Sequence, residues 1–245
     1  MTRYKITLEY DGTNLIGWQE NDNGVSAQSL ITDAIFQFCQ QRVDVVAAGR
    51  TDAGVHAIGM VAHFDLDGEF DAETIKRATN FWLIKNNSPM AALDVEDVTN
   101  DFHARFSATR RNYRYIILNR GAPLVLEKNR VWWVPQKLDV DAMKSAAARL
   151  VGNHDFTSFR ASECQAKSPI KTLDKMEIFQ NGDRIVIDTS ARSFLHHQVR
   201  NMVGTLVEIG LGKRLDIDEI FAAKNRSAAG VTAPADGLYF MSAEY

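Results

Sequence analysis

The sequence predicts an α+β protein made of two βαββαβ halves, the ferredoxin-like order, with mainly antiparallel sheets and an active-site cleft between the halves. Three observations carry this expectation. Tyr4, Ile6, Leu8 and Tyr10 alternate with polar residues, the period of a half-buried strand. Leu30, Ile31, Ala34, Ile35 and Phe38 then recur at helical spacing. The same succession of strands and helices returns after residue 105 without obvious repetition of sequence.

In the first half, the DGT turn at 11–13 ends the opening strand, and Ser26 stands where a helix N-cap belongs. VDVVAAG (43–49) and HAIGMVAHFDL (56–66) read as strands. DAETIKRATNFWLI (71–84) is a helix that Asp71 can cap, and AALDVEDV (91–98) is the last strand of the half. In the second half, NYRYIILNR (112–120) is a strand, and DVDAMKSAAARLVG (139–152) is a helix with Gly152 at its C-terminal end. TLDKMEIFQ and RIVIDTSA flank Asn181-Gly182, a hairpin signal. LHHQVRNMVGTLVEIG (195–210) is a helix with Val199, Met202, Val203, Leu206 and Val207 inward; a short helix around DIDEIFAAK and a strand in GLYFMSAEY close the chain. Two domains follow, 1–105 and 106–245, with the ligand cleft expected between them.

A chain of 245 residues, 45% hydrophobic and 24% charged, buries a sizeable core and has no apolar run long enough to cross a bilayer. MTRYKITLEY lacks the basic, apolar and small-residue regions of a secretory signal, so a cytoplasmic protein is expected. Cys39 and Cys164 form neither a disulfide framework nor a zinc motif. The histidines His56, His63, His103, His154, His196 and His197 show no metal-ligand spacing with cysteine or carboxylate, so no metal is expected. The net charge of −3 hides an asymmetry. Residues 1–105 carry 8 Lys+Arg against 16 Asp+Glu, and residues 106–245 carry 20 against 15. The more basic second half hints at a polyanion-facing surface.

Two stretches carry candidate chemistry. AAGRTDAGVHA (47–57) sets Arg50, Thr51 and Asp52 between Gly49 and Gly54, on the connection between two strands. Loops held by a rigid scaffold carry function disproportionately, and glycines there let a substrate approach closely. A plain turn, with Asp52 bonded to nearby backbone and Arg50 in a surface ion pair, fits the same residues. RFSATRRNYRY (105–115) sets Arg105, Arg110, Arg111 and Arg114 among Phe106, Tyr113 and Tyr115, which suits phosphate contacts beside base stacking. Core packing is the other reading of Tyr113, which shares strand parity with Tyr115 and Ile117. Val203 and Val207, at i+3 and i+7 from Arg200, tilt Arg200 toward a buried edge of its helix.

EYDGTNLIGWQ (9–19), AGRTDAGVHA (48–57), FHARFSATRRNYRY (102–115), FRASECQAKSP (159–169), FLHHQVRNMVGTLVEIG (194–210) and the closing GLYF resemble, in order, the successive blocks of the tRNA pseudouridine synthase A family. The resemblance implies isomerisation of uridines 38, 39 and 40 of the tRNA anticodon stem-loop by a homodimer that uses no cofactor. It places the family's essential aspartate on Asp52 and the tyrosine that stacks on the target uracil on Tyr113. It places the basic partner of the aspartate on Arg200, and the arginine that helps extrude the nucleotide on Arg50. Leu238 in GLYF is a candidate apolar wall for the uracil, with ordinary strand packing as the other reading, and Arg110, Arg111 and Arg114 are the candidate RNA contacts that the basic and aromatic pattern of 105–115 itself suggests. A noncatalytic tRNA-binding protein or chaperone is the alternative from another class. A hydrolase working through Asp52 would need a second nearby carboxylate.

Overall fold

The computed structural model describes residues 1–164 and 166–245; the block 159–169 therefore includes one position, 165, outside the described residues. The chain forms two compact units, Met1–Arg111 with Tyr239–Tyr245, and Asn112–Leu238.

The first unit follows the expected order. Its elements are β1 (Thr2–Tyr10), α1 (Ala27–Cys39), β2 (Val46–Ala47), β3 (His56–Leu66), α2 (Ala72–Lys85) and β4 (Met90–Val98). β1 lies between β4 and β3, antiparallel to both, with Ile6 opposite Ala62 on one side and Val95 on the other. The alternating residues Tyr4, Ile6, Leu8 and Tyr10 are all buried, as their period requires. Ser26 caps α1 through a reciprocal capping box with Ser29. The Asp71 side chain accepts the Thr74 N–H at the start of α2. The two helices pack against each other, and α2 also packs on β4.

β2 is much shorter than the seven-residue run that predicted it. Only Val46 and Ala47 pair with β3, opposite His63 and Ala62. The chain then leaves the ladder to make the connection that carries Arg50 and Asp52.

The second unit holds most of β5 (Arg110–Asn119), then β6 (Trp132–Val134), α3 (Val140–Leu150), β7 (Gly152–Asp155), β8 (Ile170–Asn181), β9 (Arg184–Ala191), α4 (Gln198–Gly210) and α5 (Ile217–Ala223). Its strands run in the order β5-β9-β8-β7, with β6 parallel to β5. The hairpin predicted at Asn181-Gly182 joins β8 to β9: Asn181 pairs with Arg184, so Gly182 and Asp183 form the turn. α3 packs on both β8 and α4. The five apolar residues predicted to face inward from α4 are buried.

The mixed, mostly antiparallel α+β class is the one expected, but the second half is not a simple repeat of the first. β6 and β7 are additional, and α4 starts at Gln198 because His197 before it has left-handed backbone (φ +60°). The units divide at 111/112 where the sequence suggested 105/106. The closing strand β10 (Leu238–Glu244) runs parallel to β3, with Tyr239 opposite His56 and Phe240 opposite Ala57, and so adds its residues from 239 onward to the first unit.

Candidate active site

In the first unit the connection from β2 to β3 is held from several directions. Ala48 N–H donates to the Val61 carbonyl (2.7 Å), which keeps the chain beside β3 for one more residue. The Thr51 carbonyl then accepts Trp18 N–H (3.0 Å), and Gly54 N–H donates to the Leu15 carbonyl (3.3 Å). Tyr10 Oη and Thr51 Oγ1 share a buried hydrogen bond of 2.8 Å. Val55 N–H donates to the Asp52 carbonyl (3.2 Å), closing a turn in which Gly54 has φ +82°.

Gly17 is what lets the 11–18 segment lie this close. Its φ is +107°, and a Cβ there would stand 2.5 Å from the Thr51 carbonyl oxygen. Two blocks far apart in sequence, GWQ and GRTDAG, thereby build one rigid loop. Asp52 projects from it half-buried, and Arg50 is exposed.

At the loop's exit His56 is 1% exposed, one face stacked on Tyr239 (centroids 4.8 Å apart). Its Nδ1 accepts Gly12 N–H (3.0 Å) and lies 3.1 Å from Asp11 Oδ1. Asp11 Oδ1 in turn accepts the Thr13 N–H and hydroxyl. Sequence reasoning passed over this Asp11–His56 pair. Both residues stand inside the quoted blocks, but no local spacing links positions 45 residues apart.

In the second unit Tyr113 is half-buried on β5 with its ring edge-on to Phe194 (5.2 Å, 87°), whereas Tyr115 and Ile117 of the same parity are fully buried. Tyr113 therefore sits at the margin of the core. Arg200, half-buried on α4, donates Nε–H to the Ala233 carbonyl (2.8 Å), while Ala233 N–H donates to the Arg200 carbonyl (3.1 Å). The Tyr115 hydroxyl donates to the next carbonyl along, that of Pro234 (2.7 Å). Burial pushes the Tyr115 phenol well above its ordinary pKa, only partly opposed by the nearby positive charge of Arg200. One stretch of backbone, 233–234, thus fixes both Arg200 and the tyrosine two residues beyond Tyr113. Leu238, at the head of β10, is buried.

The three further arginines predicted to face RNA have different surroundings. Arg114 makes a two-pronged ion pair with Asp188 (2.7 and 2.9 Å), and Arg110 pairs with Glu244 at the surface (3.0 Å). Arg111 does not match its expected role as an RNA contact. It is 8% exposed, and it donates Nε–H and Nη2–H to the Ala48 carbonyl (3.1 and 2.9 Å), Nη1–H to that of Ala108 (3.1 Å), and Nη2–H also to that of Arg105. Its guanidinium is a clamp on loop backbone. Arg111→Ala should therefore lower stability by roughly 2–3 kcal/mol, through buried carbonyls left without donors. The salt dependence of RNA binding should stay as in the wild type, whereas losing a phosphate contact would reduce the slope by about one. Denaturant unfolding and a salt titration of binding check the two halves of this prediction.

The tRNA pseudouridine synthase family profile matches residues 6–107 and 146–245. A relative from Rhodospirillum centenum called tRNA pseudouridine synthase A is 56% identical over 247 aligned positions covering 100% of both chains. One of the same name from Brucella ovis is 48% identical over 100% of this chain and 98% of its own. A chain of a solved Cbf5-Nop10-Gar1 complex superposes on 97% of this chain and 48% of its own, but its 10% identity and TM-score of 0.39 are too slight to add to the assignment. With the profile spanning most of its length and relatives matching from end to end, the chain belongs to the tRNA pseudouridine synthase family.

Proposed function

We propose that the protein isomerises uridine to pseudouridine at positions 38, 39 and 40 of the tRNA anticodon stem-loop, as a cytoplasmic homodimer. The observation that carries this reading is the 56% identity, over the whole of both chains, to a protein called tRNA pseudouridine synthase A. Among the described residues no helix is long and apolar enough to cross a membrane.

The reaction breaks the bond from C1′ to N1 of uracil and forms one from C1′ to C5. N1 gains a proton and C5 loses one, so substrate and product are isomers. Nothing is oxidised or reduced and no group is added, so the chemistry itself calls for no cofactor. It calls for a carboxylate and for a site that keeps water from the detached base. Asp52 supplies the carboxylate, by attack at C1′ or C6 or by proton abstraction at C2′ while positive charge develops on the sugar. Tyr113 stacks on the uracil and serves the final proton transfer from C5, Arg200 supplies the positive charge of the reaction centre, and Leu238 is an apolar wall for the base. A uridine inside a paired stem must first be unstacked, at a cost of about a few kcal/mol. Arg50, exposed on the loop beside Asp52, has the planar cation suited to fill the vacated space. Arg110 and Arg114 contribute positive charge toward the RNA backbone.

Incubation with unmodified tRNA carrying tritium at C5 of uridine tests the proposal. Tritium released to water, with pseudouridine in the recovered tRNA, is the expected result. Binding without release would leave a noncatalytic tRNA-binding protein, and free uracil would indicate a hydrolase.

A further inference from the structure

His56 stands where the Asp52 loop rejoins the sheet of the first unit, and its backbone is fixed from both sides. It lies opposite Tyr239 of β10, and the next residue, Ala57, lies opposite both Tyr10 and Phe240. The imidazole is 1% exposed, with one face on the Tyr239 ring at 4.8 Å and 26°. It is too deep to touch an RNA. A polar group buried to this extent costs stability unless it is bonded.

Its bond is to the turn that follows β1. Nδ1 accepts the Gly12 N–H (3.0 Å), and a ring nitrogen that accepts carries no proton, so the hydrogen of the imidazole sits on Nε2. On the other side of the turn Asp11 N–H donates to the Pro89 carbonyl just before β4 (2.9 Å). Asp11 Oδ1, 3.1 Å from the same Nδ1, is held by the Thr13 N–H and hydroxyl (3.0 and 2.6 Å). Gly12 meets the loop directly: a Cβ on it would stand 2.5 Å from the Val55 carbonyl carbon and closer still to its oxygen. The Gly12 carbonyl accepts Leu15 N–H (2.9 Å), the Leu15 carbonyl accepts Gly54 N–H (3.3 Å), and Val55 N–H donates to the Asp52 carbonyl (3.2 Å). Beyond its first link, the path from His56 to Asp52 runs through backbone alone.

From this geometry we infer that His56 is a positioning residue for the reaction: its Nδ1 holds the 11–13 turn against the exit of the Asp52 loop and so sets where the Asp52 carboxylate stands. The inference rests on the isomerase reading, with Asp52 as the reacting group, and adds to it a side chain buried behind the loop. A buried N–H deprived of its acceptor must move to find another partner. Here the part that moves is the Gly12–Leu15 segment, to which Gly54 is bonded. A displacement of about 1 Å at a reacting group can cost about a hundredfold in rate.

The test compares turnover of C5-tritiated tRNA and backbone hydrogen exchange in wild type, His56→Asn, His56→Gln, His56→Phe and Ile75→Val. Asparagine carries its Oδ1 on Cγ, as histidine carries Nδ1, and can accept the Gly12 N–H. Glutamine reaches with its amide toward the position of Nε2, and phenylalanine keeps the stack on Tyr239 without an acceptor. In His56→Gln and His56→Phe kcat should fall about a hundredfold with KM within about threefold of wild type, and His56→Asn should recover kcat to within about tenfold. The Gly54 and Val55 amides should exchange about tenfold faster or more in His56→Gln and His56→Phe, but not in His56→Asn. Ile75→Val trims a fully buried side chain on α2; it should lower the melting temperature while leaving kcat and those two amides as in wild type. If His56→Phe does not fold, the asparagine and glutamine variants decide. Wild-type kcat in His56→Gln, a loss as large in His56→Asn, or the same loss in Ile75→Val overturns the inference. Wild type that releases no tritium removes the catalytic reading, and exchange then decides alone: faster Gly54 and Val55 exchange in His56→Gln but not in His56→Asn keeps His56 as the anchor of the loop, and equal exchange overturns it.

Discussion

Asp52→Asn protein should bind tRNA yet release no tritium from C5-labelled uridine, with turnover reduced by about four orders of magnitude or more, as when a reacting group is removed from an enzyme whose other residues remain. Asparagine keeps the size and planarity of the side chain while losing the negative charge and the oxygen that attacks or takes a proton. The loop itself should survive, because the bonds that shape it in the first unit run through the backbone of Trp18, Thr51, Leu15 and Gly54 and through the Tyr10–Thr51 hydroxyl pair. Single-turnover measurement with enzyme in excess separates this loss from slow product release. Activity within tenfold of wild type would remove Asp52 from the chemistry, and loss of binding in step with activity would make the residue a structural or RNA-contacting one.

How far the sequence discloses this molecule depends on the range over which each feature is decided. β1, α1 and α2 are set by local pattern and by Ser26 and Asp71 at the helix starts, and they fall within a residue or two of where periodicity puts them. β6 and β7 have three and four residues, too few for a period to show, and GNHD in β7 has no apolar face; β8 makes it a strand. The closing strand reads locally as a strand, but only its pairing with β3 shows which unit it completes. The burial of Arg111 has a signal in the strand's own pattern. Residues of one parity along a strand share a face, and Arg111 has the parity of Tyr115 and Ile117, both buried, so it points inward, whereas Arg110 and Arg114 have the other parity. Asp52 stood out through its motif, while its surroundings, Gly17 against Thr51 and Asp11 against His56, join segments more than thirty residues apart.

Gly204→Ala should be among the most damaging single substitutions in the second unit, although in an exposed helix the same change would add about 1 kcal/mol of stability through helix propensity. A Cβ at 204 would lie deep inside van der Waals contact with the Val231 carbonyl oxygen, 2.8 Å from its carbon and 3.1 Å from Ala233 N. The segment crossing there has little freedom to move aside. Arg226 donates to the Gly230 carbonyl (2.8 Å), Asn201 Oδ1 (3.0 Å) and Thr232 Oγ1 (3.0 Å). Gly230 N–H is bonded to Thr205 Oγ1 (3.0 Å), and the Thr232 hydroxyl to Asn201 Oδ1 (2.7 Å). The added methyl must break part of this network or push α4 outward, a cost of roughly 3 kcal/mol or more that outweighs the propensity gain. A fall of about 6–12 °C in melting temperature corresponds to that cost in a chain of this size. The damage should reach function too, because the displaced backbone carries the Ala233 and Pro234 carbonyls that hold Arg200 and Tyr115. Turnover should therefore drop even at temperatures where the variant remains folded. Gly121→Ala, where an added Cβ meets nothing within 4 Å, is the control and should change stability by less than about 0.5 kcal/mol. A Gly204→Ala protein with wild-type melting and wild-type turnover would mean that the 226–234 segment yields without loss, and that Arg200 does not depend on the Ala233 carbonyl for its orientation.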